Sequence, residues 1–248
     1  FLRLPLAHRA LHDRAAGRIE NSPAAIGAAV AAGYGIEIDL QLSSDGVPMA
    51  FHDEDLDRLT LETGPVKARS SADLTRIRLK GASDTIPTLA QVLALIGGRV
   101  PLLIEIKDQS LTMGPTDGRL EAATAAALCD YQGPVAVMSF NPHAVARMAA
   151  LAPHIPRGIT TSAYDPDDWS PLPRATCDRL RAIPDYDPTL SSFISHEAAD
   201  LSRPRVRELK ARGAAILCWT IRSPEAEATA REIADNVTFE GYTPGLPA

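Results

Sequence analysis

The sequence predicts an α/β protein of the (β/α)8 TIM-barrel class, with a small insertion after the second strand. Strand-like and helix-like runs alternate along the whole chain, which implies a parallel sheet with helices outside it. About eight core strands are readable, and 248 residues is the length of a single closed barrel of this kind. A doubly wound sheet would use fewer strands and a glycine-rich first βα turn, and the sequence has no such turn. The chain is expected to form one domain over 1–248, with 53–86 as the insertion.

The elements follow in order. LRLPLA is a short apolar strand. SPAAIGAAVAAG is a helix: Ser22 can cap it, Pro23 suits its first turn and Gly33 stops it. In GIEIDLQL, Ile36, Ile38, Leu40 and Leu42 alternate with Glu37, Asp39 and Gln41, the period of a strand. VPMAFH follows closely enough to pair back antiparallel, and the polar, irregular 53–86 is the insertion. TLAQVLALIGG is a helix between Thr88 and Gly97. Strand–helix units then repeat: VPLLIEIK with RLEAATAAALCDY, PVAVMSF with PHAVARMAALAP, and PRGITT with PRATCDRLRAI. SSFIS with PRVRELKARG and AAILCWT with SPEAEATAREIAD continue the series, and NVTFE ends it.

The totals exclude some classes. A formal net charge of −6 argues against a nucleic-acid partner, while a local basic cluster could still bind a small phosphate ligand. Cys129, Cys177 and Cys218 lie far apart without C-x-x-C spacing, and read as reduced thiols of a cytoplasmic protein. No apolar run approaches ~18 residues, so no integral membrane segment is expected. The opening residues show no signal-peptide pattern.

Barrel enzymes place their chemistry at the carboxyl ends of the strands. Those ends carry His8 and Arg9, then Glu37 and Asp39, then Glu105 and Lys107. Later strands end at Ser139 and Phe140, at Ser195 and His196, and at Trp219 and Thr220. Reactive side chains are therefore expected to converge on one face of the barrel. Residues two apart share a strand face, so Glu37 points with Asp39 and Glu105 with Lys107. Three carboxylates on neighbouring strands suit Mg²⁺ or Ca²⁺. The same acids could instead be neutralised by Arg9 and Lys107.

His8 and His52 are candidates for general acid and base, although either alone could be structural. Arg9 offers a fork that fits phosphate oxygens, and Lys107 a point charge. Phe140 and Trp219 are candidates for substrate contact, with Trp219 equally readable as core. His12, His143 and His154 carry no spacing signal, RPRVRELKAR reads as a solvated helix face, and Trp169 as surface packing. Ser139 lacks a G-x-S-x-G context and is not a candidate nucleophile. The cluster as a whole suits metal-assisted phosphoryl transfer.

From about residue 6 to residue 222 the chain resembles the glycerophosphodiester phosphodiesterase family. The shared motifs are HRA with EN at 20–21, EIDLQLSSDGVPMAFHD leading to LDRLT, then IPTL, IEIK, MSFN and CWTIR. The resemblance implies hydrolysis of a small glycerophosphodiester to glycerol 3-phosphate and an alcohol, a step of glycerol and lipid metabolism. It implies Glu37, Asp39 and Glu105 as ligands of the divalent metal ion, His8 and His52 as the acid–base pair, and Arg9 and Lys107 as phosphate contacts. Attack by the glycerol hydroxyl, through a cyclic phosphate, and attack by water both remain open.

The chain departs from the family pattern at three places. Ala10 stands where the family has Gly, Arg222 where it has Asn, and EGYTP where it has Thr-Asp-x-Pro. Arg222 would either face an anionic headgroup or pair with Glu225 or Glu227. Two other readings use the same residues. One is a phospholipase-D-like phosphodiesterase of lysolipids or sphingolipids, whose relatives are typically secreted and disulfide-bonded, unlike this chain. The other is a catalytically silent phosphate-binding barrel, which would have no reason to keep both histidines and all three acids.

Overall fold

The structure, a computed structural model, describes residues 2–247, so the outermost residues of the expected 1–248 domain lie outside it. Its strands are β1 (Leu6–Ala7), β2 (Gly35–Leu42), β3 (Pro48–Ala50), β4 (Leu102–Ile106) and β5 (Val135–Ser139). They continue as β6 (Arg157–Thr161), β7 (Phe193–Glu197), β8 (Ala215–Ile221) and β9 (Asn236–Phe239). All except β3 run parallel, and β1 pairs with both β2 and β9, which closes an eight-stranded barrel. β3 is the one extra strand, antiparallel to the far end of β2 with Ala50 opposite Leu40.

The helices are α1 (Pro23–Ala32), α2 (Ser71–Leu74), α3 (Leu89–Ile96) and α4 (Arg119–Leu128). After them come α5 (Pro142–Leu151), α6 (Arg174–Arg181), α7 (Pro204–Ala211) and α8 (Pro224–Ala230). Local chemistry sets their ends. The Ser22 hydroxyl accepts from the Ala25 N–H, and Gly33 leaves α1 at φ 78°. Thr88 and Gln91 cap α3 reciprocally. The first strand is shorter than LRLPLA suggests, because Pro5 has no N–H to give to a neighbouring strand.

Two apolar layers hold the barrel. The outer layer, between strands and helices, includes Ile36, Ile38, Leu40, Ile104 and Ile216, each essentially unexposed. Burial of such side chains contributes about 1.5–3 kcal/mol each. The inner layer is a plug of Leu6, Leu103, Ala136, Met138, Phe193 and Leu217. Gly158 makes room for it: a Cβ there would lie 2.4 Å from the Phe193 ring. Above this plug the inward positions of the strands become polar.

The insertion is irregular in path but not merely polar. Leu56, Leu59, Val66, Leu74 and Leu79 pack with Met49 and Phe51 into a small core of their own. The apolar residues are spaced by turns rather than by a helical or strand period, so no sequence periodicity marks them. His196 also differs from expectation. It pairs in register with Thr161 and Cys218, on the outward side of the sheet. There its ring bonds Thr161 at 2.7 Å and Asp200 at 3.2 Å, away from the barrel interior. Among the described residues no helix is long and apolar enough to cross a membrane.

Candidate active site

The top of the barrel brings together every residue singled out at the first three strand ends. Asp39 on β2 is in register with Glu105 on β4, and Glu37 lies one inward position below Asp39. Each of the three acids offers an oxygen, and these oxygens lie within 4.8 Å of one another. The acids are 1%, 1% and 6% exposed for Glu37, Asp39 and Glu105. The two alternatives left open by the sequence are both visible here. Lys107 Nζ sits 2.7 Å from Asp39 Oδ1 and 2.6 Å from Glu105 Oε1. Glu37, in contrast, accepts from the Arg9 backbone N–H at 2.9 Å.

The electrostatics follow from that division. Burial alone would raise the Asp39 pKa, but Lys107, with His52 and Arg9, holds it well below the usual carboxylate range. Lys107 is costly to bury as a cation, yet Asp39 and Glu105 keep it charged. Glu37 goes the other way: burial, then Asp39 and Glu105, push its pKa well above the usual value. One buried carboxylate is thus left without a matching side-chain charge. An all-oxygen, anionic, buried donor set with a charge deficit of this kind fits a hard divalent cation.

The first loop is built to reach this cluster. Arg9 and Ala10 both adopt left-handed backbone, at φ 52° and 66°. Such conformations are uncommon outside glycine. Ala10 therefore keeps the turn that a glycine would make easily, and its N–H bonds the Glu37 carbonyl. Arg9 gives NH1 to Glu20 at 2.8 Å, while its Nε lies 3.7 Å from Asp39 without a hydrogen bond. Asn21 holds Asp39 through both amide atoms, Nδ2 to Oδ2 at 2.9 Å and Oδ1 from the Asp39 N–H at 3.2 Å.

Both histidines are buttressed on Nδ1 by a carboxylate. His8 Nδ1 is 2.6 Å from Glu240 Oε2, and His52 Nδ1 is 2.8 Å from Asp53 Oδ1. Burial lowers the His8 pKa and outweighs the opposing pull of Glu240. Glu240 is held well below the carboxylate range by His12 first and His8 second. Asp53 connects onward to Arg58, which grips Glu20 with both terminal nitrogens at 2.9 and 2.7 Å. A chain of charges thus joins His52, at the start of the insertion, to Arg9 on the first loop.

Two connected cavities open on this face. The inner one, about 170 Å³, is lined by His8, Arg9, the three acids, Lys107 and Trp219. The outer one, about 820 Å³, is lined by Asp53, Asp55, Arg58, Met113 and Trp169. His52, Glu105, Lys107 and Phe140 border both. Phe140 contacts two rings, Trp169 tilted at 5.0 Å and Trp219 edge-on at 5.5 Å between centroids. Trp219 is therefore a wall of the inner cavity, and Trp169 a wall of the outer one rather than surface packing.

Arg222 does not pair with Glu225 or Glu227. Its Nε bonds Glu240 Oε1 at 2.8 Å, at the rim of the inner cavity. Sequence reasoning gave no role to Glu20, Asn21, Glu240, His12 or Trp169. The EN pair at 20–21 carried a signal as a shared motif. Glu240 was marked only as the first residue of the EGYTP departure, and His12 carried no signal, because their partners lie up to 232 positions away along the chain.

Comparison with known proteins agrees with this geometry. Residues 8–236 match the model of the glycerophosphoryl diester phosphodiesterase family. A glycerophosphodiester phosphodiesterase of Caldanaerobacter subterraneus subsp. tengcongensis is 32% identical over 158 residues, 60% of this chain; the match spans 64% of that relative's length. Among solved structures, an Oleispira antarctica phosphodiesterase in complex with the product sn-glycerol 3-phosphate superposes with a TM-score of 0.76 at 26% identity. That match covers 96% of this chain and 93% of the other. A Thermotoga maritima glycerophosphodiester phosphodiesterase shares the fold, with a TM-score of 0.71 at 20% identity over 96% and 94% of the two chains. With a family match that runs across nearly all of the barrel, the chain belongs to the glycerophosphoryl diester phosphodiesterase family.

Proposed function

We propose that the chain hydrolyses small glycerophosphodiesters to glycerol 3-phosphate and an alcohol, with a divalent cation, Mg²⁺ or Ca²⁺, held by Glu37, Asp39 and Glu105. The observation that carries this reading is the inner cavity, where three buried acids and two carboxylate-buttressed imidazoles meet Arg9 and Lys107, with Arg222 at the rim. When bound, the cation supplies Lewis-acid polarisation of a phosphoryl oxygen. The Oleispira antarctica protein, with its glycerol 3-phosphate product, supports the same substrate class.

The division of space supports the remaining roles in this reading. Arg9, with an unbonded Nε, and Lys107 face the phosphate. The phosphoglycerol part fills the inner cavity, and the leaving alcohol lies in the outer one. His8 borders only the inner cavity, and burial favours its neutral form, so it accepts the proton of the attacking hydroxyl. His52 stands at the junction, next to the departing oxygen, and returns a proton to it. Glu240 and Asp53 hold the two rings by Nδ1 so that Nε2 is left for chemistry.

The test is an assay of purified protein on a panel of glycerophosphodiesters, with and without chelator. Release of glycerol 3-phosphate that stops on chelation and returns with Mg²⁺ or Ca²⁺ is the expected result. Full turnover in metal-free protein would remove the cation from the reading. Binding of glycerol 3-phosphate with no turnover on any diester would leave a phosphate-binding barrel.

A further inference from the structure

Two hydroxyls in the inner cavity have no protein partner. Thr160 on β6 and Thr238 on β9 both line it, at 2% and 1% exposure, and neither Oγ1 makes a hydrogen bond. Their strands are separated by β7 and β8. Thr238 is in register with Leu6 of the inner plug. Thr160 is in register with Ser195, which lies two residues beyond the inward Phe193. Both side chains therefore point into the barrel, just above its apolar plug.

A buried hydroxyl without a partner is unfavourable, because its desolvation is not repaid by a hydrogen bond. Valine would fill the same shape without that cost. Arg9, Lys107, His8 and the acids have a role in binding a phosphate and its reaction, and Arg222 is held by Glu240, whereas the two hydroxyls have no role in either. A hydroxyl can donate one hydrogen bond and accept others. The natural complement of two such groups beside a phosphate site is a polyol.

We infer that Thr160 and Thr238 bind the free hydroxyls of the glycerol moiety and make the cavity selective for glycerol over deoxy analogues. The inference rests on the glycerophosphodiester reading of the same site. A site built to hydrogen-bond a hydroxyl rejects an analogue without it, because its own polar groups are then left unpaired.

Calorimetry on the full chain tests this without requiring turnover. The probes are sn-glycerol 3-phosphate, propane-1,2-diol 1-phosphate and propane-1,3-diol phosphate; each of the latter two lacks one glycerol hydroxyl. Wild type should bind glycerol 3-phosphate on the order of 10-fold or more tighter than at least one analogue. Thr160→Val or Thr238→Val should erase that preference by weakening glycerol 3-phosphate alone, with a Tm equal to or above that of wild type. Equal binding of all three probes by wild type, or an unchanged preference in both variants, would overturn the inference. Failure to turn over any glycerophosphodiester would instead strike the proposed activity, and the binding preference would still be readable.

Discussion

Glu240 Oε2 lies 2.6 Å from His8 Nδ1, although the two residues are 232 positions apart. The last strand of the barrel returns beside the first, and the contact exists only because the sheet closes. Glu240 also receives Arg222 and lies 3.6 Å from His12. One carboxylate thus orients an imidazole on one side and restrains a guanidinium on the other.

Replacing Glu240 should therefore act through His8. Glu240→Gln keeps the shape but can donate to Nδ1, and so favours the wrong tautomer of the ring. The expected loss in kcat is on the order of 10²-fold or more, the usual range for general acid–base catalysis. His8→Ala should lose as much, and the double variant little more, since the pair acts as a unit. A double variant with fully additive losses would separate the two residues.

The pH dependence has a definite sign. Burial lowers the His8 pKa below its ordinary value of 6.5. The folded protein then binds fewer protons there than the unfolded chain does. The stability from neutral His8 is complete above pH 6.5 and is lost as pH falls from 6.5 toward the lower folded value. Urea unfolding at pH 7.5 and at pH 5.5 reads it, with a ceiling of about 1.4 kcal/mol per pH unit. His8→Asn should flatten that part of the difference. A steeper loss in His8→Asn than in wild type would contradict the sign.

Glu37 gives a metal prediction that needs no activity. Glu37→Gln removes the carboxylate whose anion burial, Asp39 and Glu105 disfavour, so in chelator the variant should melt at or above the wild-type temperature. Addition of Mg²⁺ or Ca²⁺ at 100 times its Kd should stabilise wild type by about 2.7 kcal/mol. For a chain of this size that is a rise of roughly 5–10 °C. The rise should shrink sharply in Glu37→Gln. A cation-induced shift of equal size in both proteins would rule out Glu37 as a ligand.

Lys107→Met tests the counterpart. Loss of the ammonium removes the cation that Asp39 and Glu105 share and leaves Asp39 only Asn21 and the more distant Arg9, a penalty of up to about 3–5 kcal/mol. The variant should melt well below wild type in chelator and recover part of the loss with divalent cation. A variant as stable as wild type in chelator would show that the two acids do not depend on Lys107.

Arg222 should not select an anionic headgroup, because Glu240 already holds its guanidinium. The outer cavity points the opposite way, with Asp53, Asp55, Asp57 and Asp168 around Trp169 and Phe140. A cationic alcohol over those rings gains about 0.5–2 kcal/mol. Glycerophosphocholine should therefore exceed an acidic glycerophosphodiester in kcat/KM, and Arg222→Asn should leave that ratio unchanged. A ratio that shifts several-fold in Arg222→Asn would return Arg222 to the substrate site.

Much of this architecture was legible in the residues themselves. Ser22, Thr88 and Gly33 mark helix ends by local chemistry, and the alternation through Glu37 and Asp39 fixes which face they share. What could not be read was whatever depends on closure. His196 ends a strand as His8 does, yet its register turns it outward. Trp169 joins Phe140 only after a long loop folds over the barrel mouth. Arg58 and Glu20 meet across 38 residues with no shared element to announce them.

The separate core of the insertion gives the two imidazoles of the site unequal foundations. His8 and the three acids stand at the ends of barrel strands, whereas His52 follows β3 into a segment packed on Met49, Phe51, Leu56 and Leu74. Segments with their own packing open as cooperative units with their own free energy. Arg58, one of the ties between that segment and the first loop, is 46% exposed and open to screening by salt. Amide exchange in 53–86 should then quicken with ionic strength while the barrel strands stay protected. One imidazole would then sit at the edge of a unit with its own opening equilibrium, while the barrel frame carries the other.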